Sequence, residues 1–374
     1  MSMTSNSASA LVTENVSDRL LRIVDIHFDP VHGSAFWLDR EATLKLDARR
    51  QIKSIQDLEL LGNLSASDLC QHPLLHYIPR RFHHRLDQLT IGQTAGTTSL
   101  VPAGDRELRR STAVWSAFHT NEFDEAFVLP FVEAAGHVGF PANEQWLFIG
   151  PSGPHIIGKV VRHLATAMGS LDPFSVDFDP RWVKKLPEES IARQRYLDHV
   201  VEQAMAIIQT QPITVLFTTP PVLEALARVM SQAQRHRICG VHYGGMAISS
   251  QQMQRFQTEL FPRAIHLSGY GNTLMGCCLE LSTASGRQLD YYPFGSRLLL
   301  EVVSDKGDVM PPGELGRVRL TRLDETMLIV RLLERDFAVS IAPPVNAPSD
   351  FHLPGLRNPG PRLADVPQLA IGLY

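Results

Sequence analysis

Short strand-like runs alternate with helix-like runs through the middle of this sequence. The strand-like runs are mostly apolar and cover residues 145–149, 174–178, 213–217, 238–243 and 264–267. The helix-like runs have apolar residues at helical spacing and cover residues 155–168, 191–209, 222–233 and 251–260. This alternation is typical of a parallel sheet with helical crossovers. The sequence therefore predicts an α/β core.

The pattern changes after residue 275. Strand-like segments then follow one another, separated by turn sequences such as Ser-Asp-Lys-Gly and Pro-Pro-Gly, which predicts a small antiparallel β-barrel-like subdomain. The expected parts are a flexible leader at 1–20, an α/β core at 21–275, a β-rich subdomain at 276–340 and a proline-rich tail at 341–374. The fold class is thus α/β, with parallel-sheet subdomains and a smaller antiparallel one.

Composition and charge exclude several classes of partner. The 374 residues carry 35 basic and 39 acidic side chains, intermixed, with a formal net charge of -4. A nucleic-acid or membrane-surface partner would need a dense basic patch, and no apolar run approaches the roughly 18 residues of a membrane span. The N-terminus does not read as a signal peptide, and none of the four cysteines has a metal-binding spacing. We therefore expect a cytoplasmic protein without nucleic-acid or membrane partners and without metal-ligating side chains.

One apparent phosphate-binding motif does not satisfy the chemistry of such a site. Residues 153–159 fit the spacing G-x-x-x-x-G-K of a P-loop, ending in Lys159. However, Val160 stands where a hydroxyl must hold Mg²⁺, and the β-branched Ile156 and Ile157 suit a nest of backbone N–H groups poorly. A P-loop is therefore not expected here.

Four other segments together suggest a nucleotide site without a Walker loop. They are residues 94–99 with three threonines, a Gly-Gly pair at 244–245, Ser-Gly-Tyr-Gly-Asn-Thr at 268–273, and Gly-Glu-Leu-Gly at 313–316 followed by Arg331 and Asp336. Two of these segments follow strands, and ligands bind at the carboxyl ends of the strands of an open parallel sheet. An aromatic side chain beside bare backbone suits a flat heteroaromatic ring, hydroxyls suit phosphate, and a carboxylate suits ribose hydroxyls.

These segments resemble the motifs of the adenylate-forming superfamily of acyl-CoA synthetases, luciferases and peptide synthetases, nearest its phenylacetate–CoA ligase branch. The resemblance covers roughly residues 85–340. The matched motifs follow the family's order along the chain. Residues 94–99 resemble its phosphate loop, 154–158 its Phe-His-x-x-Gly segment and 244–247 its Gly-Gly/Ala-Glu-Pro turn. Residues 270–273 resemble its Tyr-Gly-x-Thr-Glu motif, 313–316 its Gly-Glu-x-Gly turn, and Arg331 together with Asp336 its Arg-Tyr-x-x-Gly-Asp motif.

The resemblance implies ATP as the cofactor and a set of site residues. Those expected to contact ATP are Thr94, Gly96, Thr97, Thr98, Ser99, Gly244, Gly245, Met246, Gly269, Tyr270, Gly271, Asn272, Thr273 and Asp336. Tyr270 would lie against adenine, Asp336 would take the ribose hydroxyls, and Thr273 would lie near the α-phosphate. The acid substrate would lie between His155 and the Gly244–Gly245 turn, with Gly269 beside it. The residues expected to act in catalysis are Thr273, Arg331 and His155.

The sequence also departs from the family's pattern. Leu274 stands in place of the glutamate linked to Mg²⁺, which puts the use of Mg²⁺ in doubt, and Met246 replaces another acidic residue. Ser99 and Leu100 stand where the phosphate loop usually has glycine and lysine, and Arg331 is the candidate replacement for that cation. The family continues past the aspartate motif into a small mobile domain. We expect that domain to be absent here, which leaves the first half-reaction and makes CoA transfer doubtful.

The expected function is ATP-dependent activation of an aromatic carboxylic acid as an acyl-adenylate. The shortened chain resembles truncated members of the family in phenazine antibiotic biosynthesis, which implies a phenazine-type acid, a downstream reductase or transferase, and a homodimer as a possible assembly. Two alternatives stay open. One is a non-catalytic protein that binds a carboxylate and a nucleotide, and the other is a ligase completed by a separate chain that carries the C-terminal domain.

Overall fold

A computed structural model of the protein describes residues 14–94 and 113–361, except Lys184, Glu188 and Ala247. The helices are α1 (Val16–His27), α2 (Ala35–Leu44), α3 (Ala48–Gln51), α4 (Thr120–Phe123), α5 (Leu129–Val138), α6 (Ile156–Ala167), α7 (Pro180–Val183), α8 (Ile191–Thr210), α9 (Pro220–Val229), α10 (Gln232–Arg237) and α11 (Ser250–Arg255). The strands are β1 (Leu89–Gln93), β2 (Trp115–His119), β3 (Trp146–Ile149), β4 (Phe174–Val176), β5 (Val215–Thr218), β6 (Gly240–Tyr243), β7 (Ile265–Asn272), β8 (Gly276–Leu279), β9 (Asp290–Tyr291), β10 (Leu298–Val303), β11 (Leu315–Leu323), β12 (Leu328–Ile341) and β13 (Gly355–Gly360).

Short helical turns complete these elements. The π-helical turn Asp124–Val128 joins α4 to α5, and a second one, Phe256–Leu260, extends α11. Four 3₁₀ turns lie between α3 and β1, at Gln56–Leu61, Leu74–His76, Arg80–Phe82 and Leu86–Gln88. None of the helices within the described residues is both long enough and apolar enough to cross a membrane.

The first sheet has six strands in the order β4-β3-β5-β6-β7-β8. Strands β4, β3, β5, β6 and β7 run parallel, and β8 turns back antiparallel to β7. Alternate residues of β3 enter different cores, with Leu147 and Ile149 on one face and Trp146 and Phe148 on the other. Because helices cover both faces, the strands are continuously apolar, as expected for a parallel sheet. The prediction of a parallel α/β core is confirmed.

The second sheet has five antiparallel strands in the order β10-β11-β12-β13-β9. It confirms the predicted antiparallel subdomain, although the boundaries differ from those expected. Strand β8 lies beyond residue 275 yet belongs to the first sheet, because it pairs with β7 from Gly269 to Asn272. Strand β12 runs on to Ile341, and β13 lies inside the expected tail. Pro359 is tolerated in β13 because the pairing with β12 is irregular there.

The start of the chain also differs from the expectation. Helix α1 begins at Val16, inside the expected leader, and the side chain of Asn15 caps it by accepting a hydrogen bond from the amide of Asp18 at 2.9 Å. Residues 1–13 lie outside the described part of the chain. Helix α2 packs on the second sheet, where the indole N–H of Trp37 donates to the carbonyl of Leu328 at 3.2 Å. The N-terminal helices are therefore part of the β-rich half of the fold.

A cluster of buried charges joins α1 to the second sheet. The carboxylate of Asp324, after β11, accepts hydrogen bonds from Arg297 at 3.0 and 2.7 Å and from Arg322 at 2.5 Å. Burial alone would raise the pKa of Asp324, but the charges of the two arginines outweigh it and hold the pKa well below its usual range. Arg19 of α1 lies 3.7 Å from the same carboxylate and donates to the carbonyl of Leu323 at 2.8 Å.

The same arginines reach the backbone of the α/β half. Arg322 donates to the hydroxyl of Ser116 and the carbonyl of Ala117, both on β2, at 2.6 Å each. It also donates to the carbonyl of Leu274 at 3.1 Å, and Arg297 donates to that of Met275 at 2.7 Å, both in the turn between β7 and β8. The charge cluster therefore fixes the position of this turn and of β2.

Replacing Asp324 by asparagine should destabilise the protein strongly. Asp324→Asn leaves two buried guanidiniums without their counter-charge, so the free energy of unfolding should fall by about 3–5 kcal/mol in urea titrations. Asp172→Asn is the control, because it breaks an exposed ion pair with Arg162 of 3.0 Å and should cost less than about 1 kcal/mol. Equal losses for the two variants would contradict the role given to Asp324.

Candidate active site

The end of β6 leads into the Gly-Gly pair, which lies beside the last part of β7, Ser268–Asn272, with its own two glycines. Tyr243 is paired with Ser268, so Gly244 and Gly245 lie beside the last residues of β7. Gly245 has a φ of 79°, a left-handed conformation that favours glycine, and Met246 follows it, half-buried. The structure thus brings together two of the segments that the sequence predicted to form a site.

The glycines in β7 are also required by packing. A Cβ atom at Gly271 would lie 2.0 Å from the carbonyl oxygen of Gly276 on β8, and one at Gly269 would lie 2.8 Å from Sγ of Cys277. At Gly244 it would lie 2.8 Å from the ring of Phe217. These close approaches explain the glycines without any ligand, so they do not identify a binding site on their own.

Tyr270 and Asp336 meet where the two sheets adjoin. The phenol of Tyr270, on β7, donates a hydrogen bond of 3.0 Å to Oδ2 of Asp336, on β12. Burial raises the pKa of Tyr270 well above its usual value, and the nearby carboxylates of Asp336 and Glu334 raise it further. The phenol therefore keeps its proton at neutral pH and acts as a donor. Two residues 66 positions apart in sequence, both predicted for the site, are in direct contact.

A second contact between β7 and β12 involves a residue that the sequence reasoning missed. The amide Nδ2 of Asn272 donates to Oε1 of Glu334 at 2.9 Å. Burial raises the pKa of Glu334, the hydrogen bond from Asn272 opposes this, and the charge of Asp336 adds to the rise. Glu334 and Asp336 are two residues apart on β12, where its pairing with β11 is irregular, and the charge of Asp336 acts on Glu334. Its position two residues before Asp336 was the signal in the sequence that could have revealed Glu334.

Asn272 also shapes the turn that carries Thr273. Its Oδ1 accepts hydrogen bonds from the amides of Leu274 at 2.8 Å and Met275 at 3.1 Å. The hydroxyl of Thr273 donates to the carbonyl of Gln93 on β1 at 3.2 Å. Glu334 thus holds Asn272, Asn272 holds the turn, and the turn places Thr273 against β1.

Strand β1 contacts both this turn and the start of α6. The amide of Gln93 donates to the carbonyl of Pro154 at 2.8 Å, and the buried His155 follows directly before α6. A Cβ atom at Gly92 would lie 2.9 Å from both Ile156 and Thr273, so only glycine allows this approach. Thr273 and the start of α6 therefore meet on the same side of β1, at Gly92.

Thr94 is the last described residue before the expected phosphate loop. Its amide donates to the carbonyl of Val114 at 2.9 Å, and its hydroxyl oxygen accepts from the amide of Val114 at 3.0 Å. Gly96, Thr97, Thr98 and Ser99 lie outside the described residues.

Arg331 is not brought to the other predicted residues. Its Nε donates to Oδ1 of Asn63 at 3.0 Å, and its side chain lines a groove of about 300 Å³ together with Glu301 and Asp308. Its φ of 48° lies in the left-handed region, where the pairing of β11 with β12 is irregular. This bulge directs the guanidinium toward Asn63, so the geometry does not support the expected role of Arg331 in replacing the loop lysine.

The described residues offer no ready-made metal centre. Leu274, in place of the expected glutamate, is fully buried in the hydrophobic core. Within residues 14–94 and 113–361, as far as they are described, no three His, Cys, Asp or Glu side chains lie together as a metal-ligand set. The described residues therefore hold no three-ligand set for a metal ion, and their carboxylate and hydroxyl groups can bind the hydroxyls and phosphates of a nucleotide.

The comparisons with known proteins bear on the fold. No protein-family model and no curated sequence matches this chain. The crystal structure of 2-hydroxyisobutyryl-CoA ligase in an open conformation, in complex with 2-HIB-AMP and CoA, matches it with a TM-score of 0.67 at 13% identity, over 94% of this chain and 69% of the ligase. The same ligase in the postadenylation state, in complex with R3-HIB-AMP, gives a TM-score of 0.66 at 13% identity, over 94% of this chain and 67% of the ligase. This chain thus spans about two thirds of the ligase's length and shares the fold of the N-terminal part of an adenylate-forming enzyme.

Replacing Glu334 by glutamine should change how stability depends on pH. A raised pKa in the folded state means that folding favours the protonated carboxyl, so its contribution to stability is lost as pH rises above the ordinary pKa of glutamate. Glu334→Gln keeps an oxygen for Asn272 but carries no charge. We expect the variant to be more stable than the wild type at pH 8 by on the order of 1 kcal/mol, and to show no such gain at pH 4.5.

The measurement is urea unfolding at both pH values. Glu314→Gln, at an exposed position, is the control and should leave the pH dependence unchanged. If Glu334→Gln were less stable than the wild type at pH 8, the charged carboxylate would be stabilising and the account of this contact would be wrong.

Proposed function

We propose that this protein uses ATP to activate a carboxylic acid as an acyl-adenylate. The observation that carries the proposal is the contact of 3.0 Å between Tyr270 and Asp336, which joins an aromatic ring and a carboxylate at the carboxyl end of β7. Ligands of open parallel sheets bind at this end. The matched ligase, described in complex with an acyl-adenylate, has the same fold.

The order of the polar groups supports the proposal. Asp336 accepts one hydrogen bond from Tyr270, and a carboxylate has further lone pairs for ribose hydroxyls. The ring of Tyr270 and the bare backbone of Gly244 and Gly245 would frame adenine. The hydroxyl of Thr273 would donate to the α-phosphate, and residues 94–99, by their sequence, would hold the terminal phosphates.

The reaction is a nucleotidyl transfer that needs no proton. A carboxylate oxygen of the acid attacks the α-phosphorus, the bond from that phosphorus to the bridging oxygen of the β-phosphate breaks, and pyrophosphate leaves with the electron pair. Both reactants are anions, so the protein contributes mainly positioning and charge stabilisation. Mg²⁺ would enter with ATP, coordinated by the phosphates and water, because Leu274 supplies no ligand.

The proposed substrate is an aromatic acid of the phenazine type. It would lie between His155 and the Gly244–Gly245 turn, beside Phe217, whose ring a Cβ atom at Gly244 would approach to 2.8 Å. Aromatic walls and small backbone residues suit a flat acid. The adenylate would pass to a reductase or transferase in the cytoplasm, as part of secondary-metabolite biosynthesis.

Acid-dependent exchange of labelled pyrophosphate into ATP tests this proposal. The acids would include phenazine carboxylates, simple aromatic acids and short aliphatic acids, each with and without Mg²⁺. We expect exchange with one class of aromatic acid. Asp336→Asn should raise the KM for ATP about tenfold or more through the loss of a charged hydrogen-bond acceptor, whereas Arg331→Ala, on the far side of β12, should stay within about twofold of the wild type.

Two outcomes would contradict the proposal. Absence of exchange with every acid, together with tight binding of acid and nucleotide, would support the non-catalytic alternative. Exchange that appears only after addition of a second protein would support a ligase completed by another chain.

A further inference from the structure

The proposed site needs a cation at the end where pyrophosphate would form. The charged side chains that accept from Tyr270 and Asn272 at its other end, Asp336 and Glu334, are carboxylates. The sequence has Leu100 where related phosphate loops carry a lysine, and the guanidinium of Arg331 is bonded to Asn63 instead. A triphosphate held without a nearby positive charge would repel the incoming carboxylate.

Lys159, the lysine of the apparent P-loop motif, lies in the required region. It is on α6, four residues after His155, and so on the same face of the helix. Its ammonium donates a hydrogen bond of 2.7 Å to the carbonyl of Ile91 on β1. Ile91 lies two residues before Gln93, whose carbonyl accepts from the hydroxyl of Thr273 at 3.2 Å. Lys159 therefore approaches β1 from the α6 side, close to the proposed α-phosphate contact.

The charge of Lys159 is not neutralised within the described part of the chain. There it forms one hydrogen bond, to a neutral carbonyl, and no carboxylate pairs with it. An ammonium has three donors, so two remain for a ligand. By contrast, Arg162 on the same helix is paired with Asp172 at 3.0 Å.

We propose that Lys159 binds the terminal phosphates of ATP and the pyrophosphate that leaves. This inference rests on the proposed function and adds a residue to it. Asp336 and Tyr270 would lie at the nucleoside, Thr273 at the α-phosphate, and Lys159 beyond it, which is the order of charge along ATP itself. The ammonium would form charge-assisted hydrogen bonds to phosphate oxygens and stabilise the charge that develops on the leaving group.

A purely structural role is the alternative for this lysine. The bond to Ile91 joins α6 to β1, and its loss would loosen the strand that contacts Thr273. Such a change would weaken the binding of every nucleotide, whereas loss of a contact to the terminal phosphates would weaken only the binding of ligands that carry them. AMP has the same nucleoside and α-phosphate as ATP but lacks the terminal ones, so it separates the two roles.

The experiment measures binding of ATP, AMP and inorganic pyrophosphate by calorimetry to the full chain, in buffer with Mg²⁺. For Lys159→Met we expect Kd to rise about tenfold for ATP and pyrophosphate and to stay within about twofold for AMP, since tenfold corresponds to 1.4 kcal/mol. Lys159→Arg keeps the charge and should recover most of the affinity for ATP. Arg162→Met, from an exposed pair on the same helix, is the matched control and should bind all three ligands as the wild type does.

The possible results separate the inference from the proposed function. If Lys159→Met raised the Kd for AMP as much as the Kd for ATP, the lysine would have only a structural role at β1 and the inference would be overturned. If the wild type catalysed exchange and the variant bound ATP unchanged, the inference alone would fail. If the wild type bound neither ATP nor pyrophosphate, the proposed function would fail together with it.

Discussion

The carboxylate of Asp324, buried with Arg297 and Arg322, is the interaction on which the remaining geometry depends. These side chains lie between the two sheets, and the arginines use their other donors on backbone carbonyls of Ala117, Leu274 and Met275. A buried charge is tolerated only when it is paired and its donors are satisfied, so all these contacts form together. The cluster is therefore a structural requirement that ties the β-rich half to the α/β half.

The proposed site lies directly beside these fixed points. The turn held by Arg297 and Arg322 is the one that begins with Thr273. Strand β2, held by Arg322, pairs along its length with β1, which carries Gln93 and contacts α6. A loss of the charge cluster would thus displace Thr273 and β1 together. This placement accords with the principle that reacting groups need a rigid support to keep their geometry.

The fold followed from the sequence wherever periodicity was strong. The apolar runs near β3, β5 and β6 predicted buried parallel strands, and the structure has them within a few residues of the expected bounds. The expected boundaries of the subdomains differ from the structure where pairing with distant strands overrides local composition. Strand β13 contains a proline and looked like a tail, but it completes the second sheet between β12 and β9. Local sequence carries no information about which distant strand will supply the hydrogen bonds.

The sequence likewise predicted some features of the candidate site and missed others. The contact between Tyr270 and Asp336 joins residues that the motifs had placed in one site. The motif groups Arg331 with Asp336, but a bulge in β12 at Arg331 turns its side chain to Asn63. The motif around Lys159 fails as a P-loop and so predicts no role for this lysine, and only the packing of α6 on β1 shows where its ammonium lies. Side-chain direction after a bulge or across two packed elements cannot be deduced from spacing.

The most direct test of the central claim follows the oxygen atoms of the acid. An aromatic acid that supports exchange would be labelled with ¹⁸O in its carboxylate and incubated with ATP and hydroxylamine, and the AMP formed would be analysed by mass spectrometry. Attack of the carboxylate on the α-phosphorus predicts AMP that carries one ¹⁸O atom, formed in step with the hydroxamate. Unlabelled AMP, or ADP with the label in inorganic phosphate, would contradict the account.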